Sequence, residues 1–133
     1  MPAYLDRLSR FVCKTNLEGL EPATVTAAKS VVLDTIGAML AGSRLPENEK
    51  LAQLAAKNGG QGPSTLLGQA GSATAVFAAL SNATAGVALE MDEGNRLGGG
   101  HAAIHVIPAA LAVAEERGSS GKEFLESVIV GYE

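Results

Sequence analysis

The sequence contains no tryptophan, and aromatic residues make up only 4% of its 133 residues. A core with so few aromatic side chains must be built from Ala, Val, Leu and Ile, which suits closely packed helices better than an aromatic-rich β-sandwich. Hydrophobic residues make up 47% of the chain, and this content indicates a globular protein and argues against intrinsic disorder. The composition predicts an all-α fold, and the length suits a single helical domain over residues 1–133.

Positive charge and cysteine are also scarce. The net charge is −4, and the basic residues form no run or stripe, which argues against nucleic acid or an anionic membrane surface as a partner. Cys13 has no second cysteine with which to form an internal disulfide. A reducing compartment, and therefore a cytoplasmic location, is expected.

No segment has the composition of a signal peptide or a membrane span. The first residues mix Asp6 with Arg7 and lack an uninterrupted apolar core. Residues 72–89 carry no charge, but Ala dominates the segment and Ser, Thr and Asn interrupt it, which favours a buried helix over a span. Lys29 and Asp34 likewise indicate that the long apolar helix around them belongs to a soluble protein.

Helical periodicity and chain breakers predict six helices that form a bundle. The predicted helical segments are residues 3–15, 22–42, 46–57, 72–89, 102–117 and 121–133. Pro22 and Pro46 each suit the first turn of a helix, where a missing N–H costs little. Gly118 ends the fifth helix, and Ser120 with Glu123 matches a capping box at the start of the sixth.

The fourth helix is the expected centre of the bundle, with Ser72 as its N-cap. Small side chains recur along it at i, i+4 and i+8: Ala75, Ala79 and Ala83. Such a ridge lets another helix approach closely, so we expect this helix at a packed centre or a subunit interface. The third helix is expected to turn Leu51, Leu54 and Ala55 inward, and residues 64–68 are expected to form a short strand. Pro108 is expected near the first turn of the fifth helix.

A polar loop between the fourth and fifth helices is the expected place for any chemistry. Residues 90–96 read Glu-Met-Asp-Glu-Gly-Asn-Arg, three glycines occupy residues 98–100, and His101 follows. A neutral His101 near Asp92 or Glu93 can act as a general base or be oriented by a carboxylate. A capping or core-satisfying histidine is the alternative. Asp92 is the stronger candidate, because Glu93 also suits a solvated helix end.

Two further ligand sites are conceivable in this loop. His101 and His105 are four residues apart, and with a nearby carboxylate they could bind a metal ion, although this spacing is common by chance and no metal is predicted. The glycines at 98–100 could present backbone N–H groups to an anion or could serve as a flexible hinge. They match neither a P-loop nor a dinucleotide-binding fingerprint.

Several short sequence blocks occur together along the chain. The blocks are residues 33–37, 41–42, 66–68, 78–85, 88–93, 101, 106–112, 118–122 and 131–133. In this order they resemble the N-terminal part of the MmgE/PrpD family, and the resemblance covers essentially the whole chain. That family includes 2-methylcitrate dehydratase, cis-aconitate decarboxylase and iminodisuccinate epimerase.

The resemblance implies a large helical domain that also forms a homodimer interface, and a smaller α/β lid domain inserted later. It implies chemistry without a cofactor on small di- or tricarboxylates, by proton transfer next to a carboxylate. His101 falls on the family's active-site histidine, and Asp92 falls within its acidic motif, so both are expected to be catalytic. Glu90 replaces the first aspartate of that motif, and Gly94 replaces a threonine that often contacts substrate.

Glu90, Gly94 and Arg96 are therefore the expected substrate-binding residues. A polycarboxylate needs several cationic partners, because an unpaired carboxylate is costly to desolvate. The loop supplies Arg96 but no lysine, and the resemblance implies that the family's lysines lie further along than this chain reaches. The chain by itself is expected to hold about half a site.

Two functions from different classes remain open on the sequence. The first is the N-terminal helical part of an MmgE/PrpD-type lyase or isomerase. The second is a non-catalytic helical module that acts as a homodimer or associates with a complementary enzyme fragment. The last helix is still running at Glu133, which leads us to expect that the natural structure continues beyond it.

Overall fold

The computed structural model describes residues 3–96 and 98–133. Six α-helices occur in this part of the chain, so the predicted all-α class is confirmed. The helices are α1 (Ala3–Lys14), α2 (Pro22–Gly42), α3 (Pro46–Asn58), α4 (Ala75–Val87), α5 (Ala102–Arg117) and α6 (Gly121–Tyr132). A single turn of 3-10 helix, Leu17–Gly19, links α1 to α2. Helix α4 is the centre of the bundle and packs against α2, α3 and α5, while α6 packs mainly on α5.

Local end signals set most helix boundaries as predicted. Pro22 and Pro46 each occupy the first turn of a helix. Gly118 adopts the left-handed conformation that ends α5, with φ of 64°. Ser120 and Glu123 form the predicted capping box at the start of α6.

The predicted N-cap at Ser72 is wrong. Ser72 and Ala73 form β2, which pairs antiparallel with β1 (Ser64–Thr65), and Thr74 is the residue that precedes α4. The predicted strand over residues 64–68 is therefore present but shorter. Pairing with Thr65, seven residues earlier, decided the conformation at Ser72, and a capping preference that acts within one turn cannot anticipate it.

One more prediction about side-chain placement needs correction. Leu54 does not face the core, since 52% of it is exposed, whereas its neighbour Ala55 is 2% exposed. Pro108 lies in the second turn of α5, where it is buried. A proline there removes the N–H that would bond to the carbonyl of Ile104.

The close packing of α4 is confirmed, but it uses a different face from the predicted ridge. Of the predicted ridge, Ala75 is buried but Ala79 and Ala83 are only partly buried, whereas Ala78, Ala85 and Gly86 are buried. The fully buried face is the one that meets α2 and α5, and it is displaced around the helix from the ridge read off the sequence.

The core has two clusters of small and aliphatic side chains. One lies between α3, the strand pair and α4, and includes Leu66, Ala73 and Ala78. The other lies between α2, α5 and α6, and includes Met39 and Ile107. The second cluster fixes the N-terminal end of α5, where His101 lies.

Several apolar side chains remain exposed. Helix α1 contains no buried residue, although its Tyr4 and Leu8 are large and apolar. Helix α2 is long and apolar enough to cross a membrane by length and composition alone, a test that core helices of soluble proteins also pass. Only 17% of its most apolar window is buried, and Leu33 is 74% exposed.

Candidate functional site

The glycines of the loop are held in a hydrogen-bonded turn around Asn95. The Gly98 N–H donates to the Asn95 side-chain oxygen at 2.9 Å. The N–H groups of Gly99 and Gly100 donate to the Asn95 carbonyl oxygen at 2.8 and 3.3 Å, and the Asn95 N–H donates back to Gly100. All three glycine N–H groups are thus used within the turn, which contradicts the suggestion that they cradle an anion.

Asp92 and His101 lie together, as the sequence analysis anticipated. The His101 Nδ1 atom is 3.0 Å from the Asp92 Oδ2 atom. The side chain of Asp92 is only 4% exposed, whereas that of His101 is 52% exposed. A buried carboxylate close to Nδ1 favours the neutral tautomer with its proton on Nδ1, and the Nε2 atom is then free to take up a proton from outside.

His101 occupies the N-cap position of α5, but its side chain makes no capping hydrogen bond. The alternative of a capping histidine therefore does not describe it, and neither does that of a core histidine. The imidazole instead borders an open depression of about 390 Å³, which is also lined by Gly94, Arg96 and Gly100.

The three expected substrate-binding residues are placed differently. Gly94 lies beside the imidazole, since a Cβ atom at Gly94 would be 4.0 Å from the His101 Cε1 atom. Arg96 is exposed and lines the depression. Glu90 is exposed but does not line it. Glu90 also has a positive φ of 53°, a conformation that is uncommon for a residue other than glycine.

Glu93 is not the solvated helix end that the sequence suggested. Its Oε1 atom accepts a hydrogen bond from the Tyr132 hydroxyl, and its Oε2 atom accepts from the Ala103 N–H at 3.3 Å. Burial raises the pKa of Tyr132 to about 12, and the hydrogen bond to Glu93 and its negative charge act in the same direction. The hydroxyl therefore remains a donor at neutral pH.

Sequence reasoning missed the contact between Glu93 and Tyr132. The two residues are 39 positions apart, and no local pattern links them. Only the packing of α6 against α5 places the end of α6 next to the loop.

The described residues contain no group of three or more His, Cys, Asp or Glu side chains that could hold a metal ion. His105, the second histidine of the conceivable metal site, is exposed on α5. The chemistry that this arrangement offers is acid–base chemistry at His101.

Residues 6–133 match the family model described as the MmgE/PrpD N-terminal domain. No curated protein and no solved structure matches the chain significantly.

Proposed function

Because this chain belongs to the MmgE/PrpD family, we propose that it forms the helical N-terminal part of a lyase or isomerase that acts on small di- or tricarboxylates. The reaction class is proton transfer at a carbon next to a carboxylate. The observation that carries the proposal is the pair formed by the buried Asp92 carboxylate and the half-exposed His101 imidazole.

His101 is the proposed acid–base residue. The Asp92 carboxylate, 3.0 Å from Nδ1, favours the tautomer that carries its proton on Nδ1, and this leaves Nε2 to take up a proton from the substrate. In dehydration, Nε2 removes the proton and can pass it to the departing hydroxyl. In epimerisation, Nε2 removes the proton and another group or water must protonate the opposite face. In decarboxylation, the protonated Nε2 donates to the carbon from which CO₂ leaves, so the pair alone does not select among the three reactions.

Substrate binding is assigned to the depression beside His101. Arg96 supplies a fixed positive charge for one substrate carboxylate, and the backbone of Gly94 leaves space next to the imidazole. Glu90, Asp92 and Glu93 make the loop acidic, so a polycarboxylate needs further cations from outside it. We therefore assign complete activity to an assembled enzyme, which means this chain together with another segment or a partner that supplies the further cations.

The test is turnover by the assembled enzyme on a panel of small polycarboxylates that includes 2-methylcitrate, cis-aconitate and iminodisuccinate. His101→Ala should lower kcat by roughly 10²- to 10⁴-fold, which is the usual contribution of a general acid–base residue. His105→Ala is the matched control, because this exposed histidine lies on the same helix one turn away. Full activity in His101→Ala would refute the role.

A second candidate function is a non-catalytic helical module that acts through association. The observation that favours it is the exposed apolar surface, which includes Tyr4, Leu33, Val76 and Leu80. A helical domain with this much uncovered apolar area suits burial against a second copy or a complementary fragment.

A further inference from the structure

A continuous set of contacts connects the end of α6 with the imidazole of His101. The Tyr132 hydroxyl donates to Glu93, Glu93 accepts from the Ala103 N–H, and the carboxylate of the adjacent Asp92 lies 3.0 Å from the His101 Nδ1 atom. We infer that Glu93 and Tyr132 are positioning residues that hold the His101 imidazole in its Nδ1–H form. This inference deepens the proposed function and rests on it for its catalytic meaning.

Glu93 provides a hydrogen-bond acceptor at the start of α5, where no side-chain cap is present. His101 precedes α5 without capping it by its side chain, so the first N–H groups of α5 need an acceptor from elsewhere. Glu93 provides that acceptor for Ala103, and its negative charge is favourable at the positive end of the helix dipole. The residue next to Asp92 is thereby fixed to the same helix start that carries His101.

The role of Tyr132 is to give Glu93 a second fixed partner. Its ring packs against the cluster that contains Ala103 and Ile104. The backbone of α6 also approaches α5 closely here, since a Cβ atom at Gly131 would lie 2.7 Å from the Val106 Cγ1 atom. The close packing of α6 on α5 therefore places the Tyr132 hydroxyl next to Glu93.

The contacts of the Glu93 carboxylate also restrict the position of the neighbouring Asp92 carboxylate. Because both carboxylate oxygens of Glu93 accept hydrogen bonds, the backbone at residues 92–93 has little freedom. The Asp92 carboxylate is therefore already next to His101 before the reaction begins, and no entropy is lost in bringing the two side chains together. Without the Tyr132 hydroxyl, Glu93 retains only the 3.3 Å contact to the Ala103 N–H. Because His101 is half exposed, water then competes more effectively for its Nδ1–H, and the imidazole populates both tautomers.

The experiment is ¹⁵N NMR of the imidazole nitrogens in the 133-residue chain, at a pH about two units above the usual histidine pKa of about 6.5. The chain has two histidines, so His105 serves as an internal reference in every spectrum. The wild-type chain should show His101 mainly as Nδ1–H. In Tyr132→Phe the Nδ1–H fraction of His101 should move at least halfway towards that of His105, and Glu93→Ala should move it further.

Two control variants separate positioning from general loosening. Tyr4→Phe removes the hydroxyl of the other tyrosine, which is 66% exposed on α1, and should leave His101 unchanged. Leu66→Val weakens the other core cluster and lowers stability, but should also leave the His101 tautomer as in the wild-type chain. An equal shift in Leu66→Val would overturn the inference, because the effect would then follow from reduced stability alone.

The remaining outcomes distinguish a failure of this inference from a failure of the proposed function. An unchanged His101 tautomer in both Tyr132→Phe and Glu93→Ala would overturn the inference, even with turnover lost in His101→Ala. If Tyr132→Phe fails to fold, Glu93→Gln decides, since it keeps an acceptor for Ala103 and should give a shift smaller than that of Glu93→Ala. Turnover that survives His101→Ala would overturn the proposed function and leave the NMR result intact.

Discussion

At the scale of single residues, the site combines one buried group with one open group. The Asp92 side chain is almost fully enclosed, while about half of the His101 side chain faces solvent, and the two atoms that join them are 3.0 Å apart. An orienting carboxylate works best when it is shielded from water, and a proton-transfer group must reach its substrate. This division of exposure is the strongest chemical feature of the described part of the chain.

Tyr132 gives a prediction about stability at high pH. Its pKa is raised to about 12 from the usual 10.0, chiefly by burial, so the folded state binds the hydroxyl proton more tightly than the unfolded chain does. The resulting stabilisation is complete below about pH 10 and is lost as the pH rises from 10 towards 12. Urea unfolding of the wild-type chain and of Tyr132→Phe should be measured across this pH range. The free energy of unfolding should fall less with rising pH in the variant than in the wild-type chain.

Glu93→Gln provides the control for that measurement. Gln has nearly the shape of Glu but no negative charge, so it should lower the pKa of Tyr132 from its wild-type value without returning it to that of a free tyrosine, because burial remains. The titration is read in a Tyr4→Phe background, in which Tyr132 is the one remaining tyrosine. A pKa of Tyr132 that is unaffected by Glu93→Gln would contradict the contact between the two side chains.

At the scale of helices, the contact between α2 and α4 depends on a glycine. A Cβ atom at Gly42 would lie 1.9 Å from the carbonyl oxygen of Ala85, and a backbone atom cannot move aside as a flexible side chain can. Gly42→Ala should therefore destabilise the fold by about 1–3 kcal/mol, despite the higher helix propensity of Ala. Urea denaturation followed by circular dichroism measures the change.

Gly37→Ala is the matched control on the same helix. Nothing lies within 4 Å of a Cβ atom at Gly37, so only the propensity gain applies, and the variant should be more stable by about 0.5–1 kcal/mol. Equal effects of the two substitutions would show that α2 and α4 do not approach as closely as the structure indicates.

The sequence predicts helix ends well because their signals are local. Pro22 and Pro46 at helix starts, Gly118 at a helix end and Ser120 as a cap each act through the backbone of their own turn, and each was placed correctly. Asp92 and His101 could be expected to meet because a short loop holds both.

The features that the sequence did not predict depend on contacts outside the residue's own turn. Ser72 joins a strand pair, and Leu54 faces outward because Ala52 and Ala55 take the core side of α3. Glu93 meets Tyr132 only after α6 has packed on α5. Periodicity identifies a helix, but which of its faces becomes buried depends on the neighbouring elements in the complete fold.

At the scale of the whole molecule, the uncovered apolar surface predicts self-association. Leu33 on α2 and Val76 on α4 are 74% and 77% exposed, so replacing either by Ser should change stability by no more than about 0.5 kcal/mol. The double variant should raise the dissociation constant of a dimer at least tenfold, as measured by sedimentation velocity over a range of concentrations. A wild-type chain that stays monomeric over that range would count against the association-module function.

The central claim is that His101 moves a proton at a carbon next to a substrate carboxylate, and deuterium exchange tests it most directly. The assembled enzyme is incubated in D₂O with the polycarboxylate panel, and deuterium incorporation is read by NMR and mass spectrometry. Deuterium is read in the recovered substrate for dehydration, where it enters through the reverse step, and in the product for decarboxylation or epimerisation. We predict incorporation next to a carboxylate with the wild-type enzyme and with His105→Ala, and loss of it with His101→Ala. Incorporation at the wild-type rate with His101→Ala would contradict the claim.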